Sequence, residues 1–418
     1  MKLTDFYFQQ QDIYEQKYGS QTLLLMEVGS FFELYSISND KETVGPDMKK
    51  ICDILNIQMT RKNSKNPVND RSNPYMAGFP NYAIDKFIRL LIKEKYTVVV
   101  IEQDSHGVAN PKREVSKIYS PGTDIDYSFE EQEQNGISLL SIFVDEMKGV
   151  HSTNKLLCAF SGIHVSTAYN CVGEYCSQER DFMYPIHQIS EYIHCEQPKE
   201  IILSFSSSVQ KDTVENIKGI LDTSVVRGIF HMHEPVPSDY IQVKYQNTLL
   251  SSIFEPKVSL PVTEYLGIHR YPLICTSYVQ LLKFAYEHDN NLVKKLDKPE
   301  LLQNEKVCSL HDTAIYQLNL VSTPYMSERN INSLWSIVNR CKTGPGKRLL
   351  RNRLIHPIYD TQELQTRYDS IDTVLYRSKQ GSKKKYEVYQ NDLQELVDLE
   401  RYHRKLAMGV LQPMEMFT

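Results

Sequence analysis

One stretch constrains this chain more than any other: the apolar run Leu23-Leu24-Leu25-Met26-Glu27-Val28, a Gly29-Ser30 turn, and then Phe31-Phe32-Glu33-Leu34-Tyr35. A short apolar run bounded by a turn reads as a strand, and the segment after the turn as a second strand. In the period-two geometry of a strand, Phe31 and Glu33 share one face and Phe32 takes the other. One face therefore offers a flat apolar ring two residues from a carboxylate. That pair suits inspection of DNA bases without reading of their sequence: the ring wedges between bases and the carboxylate tests one exposed edge. Taken alone, Phe-x-Glu more often means a core phenylalanine and a solvated glutamate, so the neighbouring segments have to decide.

Those segments are Tyr75-Met76-Ala77-Gly78-Phe79-Pro80, then Val98-Val99-Val100-Ile101-Glu102-Gln103, then Arg113 through Ser120-Pro121-Gly122-Thr123. In this order and spacing the set resembles the N-terminal mismatch-recognition domain of the MutS family of DNA mismatch-repair proteins. Phe31 and Glu33 fall on that family's Phe-x-Glu motif, while Ser30 stands where many bacterial relatives carry Asp. The drifted motifs and a long Asn-Lys loop look closest to the divergent branch of giant viruses and octocoral mitochondria.

A length of 418 residues allows two to four domains. The fold class expected is multidomain α/β plus α. Residues 1–125 read as one mixed-sheet α/β unit, with helices over 5–18 (Thr4 as N-cap), 48–55 and 83–96, and a buried strand over 97–101. Residues 62–73, rich in Asn, Ser and Lys, read as a flexible loop. An acidic, polar linker is expected at 126–136. Residues 137–264 read as a second α/β domain, with strands that include an alternating segment at 163–168. From 265 to 418 the pattern is helical. The resemblance implies a ribonuclease-H-like connector for the second domain and the beginning of an all-helical core, or lever, domain for the third.

Net charge is −5, so the chain has no global polybasic footprint and any DNA contact must rest on local patches. The candidate phosphate contacts are Arg61, Lys62, Lys65, Arg71, Lys112, Arg113 and Lys117, the loop members being suited to ordering on DNA. No apolar run approaches the roughly 20 residues that span a bilayer. The N-terminus has neither signal-peptide nor transit-peptide layout. Eight scattered cysteines fit reduced intracellular thiols, with the compartment open. Cys171 and Cys176 have no matching second pair, so no metal site is expected.

Gly344-Pro345-Gly346-Lys347 invites a phosphate-loop reading, but Cys341 stands where the first glycine is needed and Arg348 where a hydroxyl should hold magnesium. A turn opening a helix is the better reading. The chain is therefore expected to be a non-enzymatic binding module with no cofactor of its own. The family's clamp and ATPase, which would bring Mg-ATP, are expected beyond residue 418. The partners expected are mismatched double-stranded DNA, and self-association or an ATPase-bearing remainder or partner. The alternative is a partner-docking scaffold, or split subunit, without DNA binding of its own.

Overall fold

A computed structural model of the chain describes residues 3–61, 63, 65–104, 112–124, 138–148, 154–223, 229–233, 235–255, 260–302, 308, 310, 312–321, 333–379 and 385–416. Lys62 and the linker expected at 126–136 lie outside the described residues.

The first sheet is mixed. Its strands are β1 (Thr22–Val28), β2 (Phe31–Ser38), β3 (Thr43–Val44), β4 (Thr60–Arg61), β5 (Tyr75–Pro80), β6 (Thr97–Gln103) and β7 (Arg113–Tyr119). They run in the order β4-β5-β2-β1-β6-β7, with β3 on β2. β1 is antiparallel to β2 and parallel to β6. Alternation decides what each face buries. Leu23, Leu25, Phe32, Leu34, Phe79, Val98 and Val100 pack under α2 (Met48–Leu55) and α3 (Ile84–Lys93). Leu24, Met26, Tyr35, Ile37, Val99 and Ile101 pack under α1 (Leu3–Tyr18). Thr4 lies inside α1 and does not cap it; its hydroxyl donates to the Arg71 carbonyl at 3.2 Å.

The loop expected to be flexible is organised by two buried asparagines. The Asn73 amide donates to the carbonyls of Asn63, Asn66 and Val68 at 3.1–3.2 Å. Its oxygen accepts the Asn63 N–H at 2.7 Å. Asn69 takes the Ser38 N–H, also at 2.7 Å. A run almost without apolar residues thus gains order from side-chain amides that replace missing backbone partners.

The second sheet holds β8 (Leu139–Lys148), β9 (Asn154–Ile163), β10 (Asn170–Cys176), β11 (Glu200–Phe205), β12 (Ile229–His233) and β13 (Glu300–Leu301). Its order is β12-β11-β8-β9-β10-β13, with β8, β9 and β10 antiparallel and β11 and β12 parallel to β8. α4 (Tyr184–Glu196) and α5 (Lys211–Thr223) cover one face through Ile186, Ile189, Ile193 and Ile217. Of the segment expected as a strand at 163–168, only Ile163 is one, as the last residue of β9. His164 Nδ1 meets the Ser166 and Thr167 hydroxyls at 3.2 and 3.0 Å, and Ala168 turns with φ +64°. The adjacent Ser166 and Thr167 there serve a turn.

Helices α6 (Val243–Phe254) and α7 (Pro272–His288) follow. α7 is apolar nearly all round and lies across the other face of the second sheet, as a buried helix must. With β13 joining that sheet, the second unit extends past the boundary expected at 264/265. The same core runs on from Tyr278 and Leu281 to Tyr7 and Tyr18 of α1, joining the first two domains.

Glu200 sits at that junction, fully buried, and accepts the Gly122 N–H at 3.0 Å. A Cβ on Gly122 would lie 2.9 Å from the Ser138 carbonyl and 3.3 Å from Glu200 Cβ, so the close approach requires glycine. His231 Nε2 lies 3.4 Å from the other Glu200 oxygen. The neighbouring His288, 2% exposed, packs on Phe284 and Tyr18.

Beyond residue 333 the described chain is helical: α8 (Gly344–Ile355), α9 (Thr361–Lys379), α10 (Lys385–Gln394) and α11 (Leu399–Met408). Arg404 of α11 is buried and donates to the carbonyls of Val165 at 3.1 Å, Lys294 at 2.6 Å and Leu292. Burial lowers its pKa to about 10. The glycine-lysine segment forms the first turn of α8, with the Thr343 side chain accepting the Gly346 N–H at 3.2 Å. A Cβ on Gly344 would collide with the Asp398 carboxylate, which pairs with Arg348.

Candidate nucleic-acid interface

The turn between β1 and β2 is the local cause of the site. Val28 pairs with Phe31, leaving Gly29 and Ser30 as a two-residue hairpin loop. Gly29 has φ +64°, the position where a two-residue turn tolerates little else. The turn delivers Phe31 to the end of the sheet with 48% of its surface exposed, while Phe32 is 3% exposed and packs on Phe79. One aromatic is therefore core and its neighbour is presented outward, as the alternation predicts.

Glu33 lies on the same face as Phe31, half-buried, with Met26 opposite on β1 and Gly78 opposite on β5. Gly78 matters because a Cβ there would sit 2.8 Å from the Phe32 carbonyl and 3.3 Å from Glu33 Cγ. The Tyr35 hydroxyl donates to Glu33 Oε2. Burial, and then the hydrogen bond to Glu33, push the Tyr35 hydroxyl well above its ordinary pKa. Tyr35 therefore stays a donor throughout the neutral range.

The basic candidates divide between the two ends of the sheet. Phe31 pairs with Pro80, and β7 begins beside the end of β6, so Lys112 and Arg113 share the Phe31 end. Arg113 Nε donates to the Glu27 carbonyl at 3.3 Å. Lys112 pairs with Glu114 on the surface. Arg61 pairs through Tyr75 at the opposite end, five residues or roughly 17 Å along the strands. Its guanidinium donates to the Asn66 and Pro67 carbonyls at 3.2 and 2.6 Å and lies over the Tyr75 ring. Lys65 is exposed nearby, and Arg71 is paired with Glu42 at 3.1 Å. Lys117 reaches Asp289 at 3.0 Å, at the end of α7, and so serves the contact between domains. The six described basic residues thus do not form one patch: Lys112 and Arg113 accompany Phe31, whereas Arg61, Lys65, Arg71 and Lys117 lie elsewhere.

Sequence reasoning missed Tyr82. It follows Pro80, the register partner of Phe31, and is 85% exposed. The Asn81 N–H donates to the Ser30 carbonyl at 2.9 Å, fastening this corner to the β1–β2 turn. The signal was available, because an aromatic just past a strand-ending proline cannot join the α3 core.

Fold and site together define a multidomain α/β and helical protein whose first domain offers an exposed ring and an acceptor at one sheet end. Comparison with known proteins makes this specific. Residues 7–128 match the model of MutS domain I, and residues 313–418 match MutS domain III. The chain is 27% identical to a DNA mismatch repair mutS homolog of Acanthamoeba polyphaga mimivirus, over 98% of this chain and 37% of the relative. It is 23% identical to the mitochondrial DNA mismatch repair mutS homolog of Sarcophyton glaucum, over 94% of this chain and 42% of the relative. It is 25% identical to the DNA mismatch repair protein MutS of Borreliella burgdorferi, over 86% of this chain and 36% of the relative. The chain thus spans about two fifths of the length of the curated relatives it matches. It belongs to the MutS family. No helix among the described residues is long and apolar enough to cross a membrane.

Proposed function

We propose that this chain recognises mismatched or damaged double-stranded DNA through its first domain, with Phe31 stacking on a base as a wedge and Glu33 bonding that base. The observation that carries this reading is the exposed Phe31 ring beside the Glu33 carboxylate on one face of a rigid hairpin. Inserting a ring costs a few kcal/mol of unstacking, less where pairing is already weak. Stacking returns about 1–3 kcal/mol. Preference for a mismatch then follows from the lower cost of deforming it. Glu33 repels phosphates and weakens binding to ordinary duplex, yet is tolerated where it accepts a hydrogen bond from a displaced base. Lys112 and Arg113 are the cations placed to hold phosphates beside the wedge.

The second domain reads as a ribonuclease-H-like connector, which its three antiparallel strands flanked by two parallel ones support. The helices after 333 read as the beginning of a lever domain. No chemistry is assigned to this chain itself; Mg-ATP hydrolysis and self-association are proposed for a complete family member. The test is fluorescence anisotropy on matched and G·T-mismatched duplexes at low salt, with wild type and Phe31→Ala side by side. Mismatch preference that disappears in the variant supports the wedge. Equal binding that ignores the substitution rejects it and favours a partner-docking scaffold.

A further inference from the structure

Glu33 can test a base only if its carboxylate is aimed before the base arrives. A free glutamate side chain samples many rotamers, and fixing one on binding costs affinity. β5 supplies no lateral support, because Gly78 stands opposite. The support comes from within β2. Phe31, Glu33 and Tyr35 share a face, and Tyr35 is 2% exposed while Phe31 is 48% exposed. The Tyr35 ring meets Tyr7 of α1 edge-on at 5.1 Å and 78°. Tyr7 is itself fixed by its hydroxyl, which donates to the Leu24 carbonyl at 3.1 Å, and by edge contact with Phe8. A buried, packed ring thus ends in a hydroxyl that donates to Glu33 Oε2. Oε1 of Glu33 carries no hydrogen bond among the described residues.

We propose that Tyr35 is a positioning residue for recognition: it clamps Glu33 Oε2 so that Oε1 is presented, beside Phe31, to the edge of an unstacked base. The proposal rests on the DNA-inspecting reading of Phe31 and Glu33 and names the part that gives it aim. Tyr35 need touch no DNA to do this. Its effect falls on the ratio of mismatched to matched affinity, since only the mismatched complex uses the Glu33 acceptor.

The test is a double-mutant cycle on the full 418-residue chain. Affinities for matched and G·T duplexes are measured for wild type, Tyr35→Phe, Glu33→Ala and the double variant. Tyr18→Phe, which removes a buried hydroxyl from the same helix α1 at a ring that does not touch Tyr35, is the structural control. Tyr35→Phe is expected to lower the preference roughly three- to tenfold, the worth of one ordered side chain. It should leave matched affinity unchanged and have no further effect on the preference in the Glu33→Ala background. Tyr18→Phe should keep the wild-type ratio. If Glu33→Ala loses the preference and Tyr35→Phe keeps it, Tyr35 is only packing and the proposal fails while the recognition reading stands. A Tyr35→Phe loss of equal size with and without Glu33 also overturns the clamp. A wild type without preference, or a neutral Glu33→Ala, sinks the underlying reading and the clamp with it.

Discussion

Glu33 and Glu200 are the same functional group in opposite circumstances. Glu33 stands half-buried at the outer end of the first sheet, held through one oxygen by Tyr35. Glu200 is fully buried where the first two domains meet, between the Gly122 N–H and the His231 ring. A buried carboxylate is tolerated only when bonded and paired, and removing its partners is costly. The inner glutamate is therefore committed to holding the exit of the first domain against the second. The outer one has a second oxygen with no hydrogen bond among the described residues. A glutamate's neighbours, far more than its identity, decide whether it is structural or available.

The largest expected effect is on the inner glutamate. Glu200→Ala leaves the Gly122 N–H buried without its acceptor and removes the carboxylate from His231, which should cost about 3–5 kcal/mol. Urea unfolding would show it as a lower midpoint, and Glu200→Gln, which keeps an acceptor, should lose less. A cost near zero for both would mean that this junction is not held by the carboxylate.

Acid should act on the same junction. Burial lowers the His288 pKa from the ordinary 6.5 to about 4. The unfolded chain takes up that proton as pH falls through about 6.5, and the folded chain refuses it until about 4. Stability from this group is thus complete above pH 6.5 and is lost between roughly 6.5 and 4, up to about 3 kcal/mol. Glu200, held below its ordinary range by His231 against the opposing effect of burial, loses its contribution only at lower pH. His164, lowered to about 3 chiefly by burial, adds to the slope in the same direction. Urea midpoints taken from pH 8 to 4 should be flat and then fall, and His288→Gln should flatten part of the fall.

At the outer site the effects move from stability to binding. Phe31→Ala removes a ring that is half in solvent, so the fold should change by less than about 0.5 kcal/mol. Mismatch binding should weaken by about 1–3 kcal/mol, because stacking is what the ring supplies. Equal loss of stability and binding would place Phe31 in the core. Glu33→Ala should bind matched duplex more tightly and lose discrimination; equal weakening on both duplexes would count against an acceptor role.

How much of this contrast was legible in the sequence follows from its physics. Period-two alternation separated exposed Phe31 from buried Phe32, and the apolar runs at 23–28 and 97–101 marked the central strands of a mixed sheet. Periodicity could not show that α7 covers the second sheet, because a helix apolar on every side has no phase. Alternating apolar and polar residues from Ile163 to Ser166 imitated a strand while forming a hydroxyl-bonded turn. Neither the Asn69–Ser38 bond nor the Glu200–Gly122 contact has a local signature, since each joins positions set together only by the finished fold. Tyr35 was visible as the next residue on the Phe31–Glu33 face, but its burial depends on α1, and so did its use as a clamp.

The smallest effect divides the sheet itself. Sequence proximity groups the basic residues together, whereas register puts Lys112 and Arg113 at the Phe31 end, and pairing with Glu42 beside β3 puts Arg71 at the other. Removing one cation that neutralises a phosphate should reduce the slope of log affinity against log salt by about 0.9. Lys112→Ala is expected to flatten the slope by about that amount, with matched and mismatched duplexes affected alike. Arg71→Ala breaks a surface pair with Glu42 that is worth at most about 1 kcal/mol, and should leave the slope where it was. A flatter slope for Arg71→Ala would mean that DNA runs along the strands to the far end, over the Asn73-organised loop. An unchanged slope for Lys112→Ala would move the phosphate contacts off β7 altogether and leave Phe31 to be approached from the Tyr82 side.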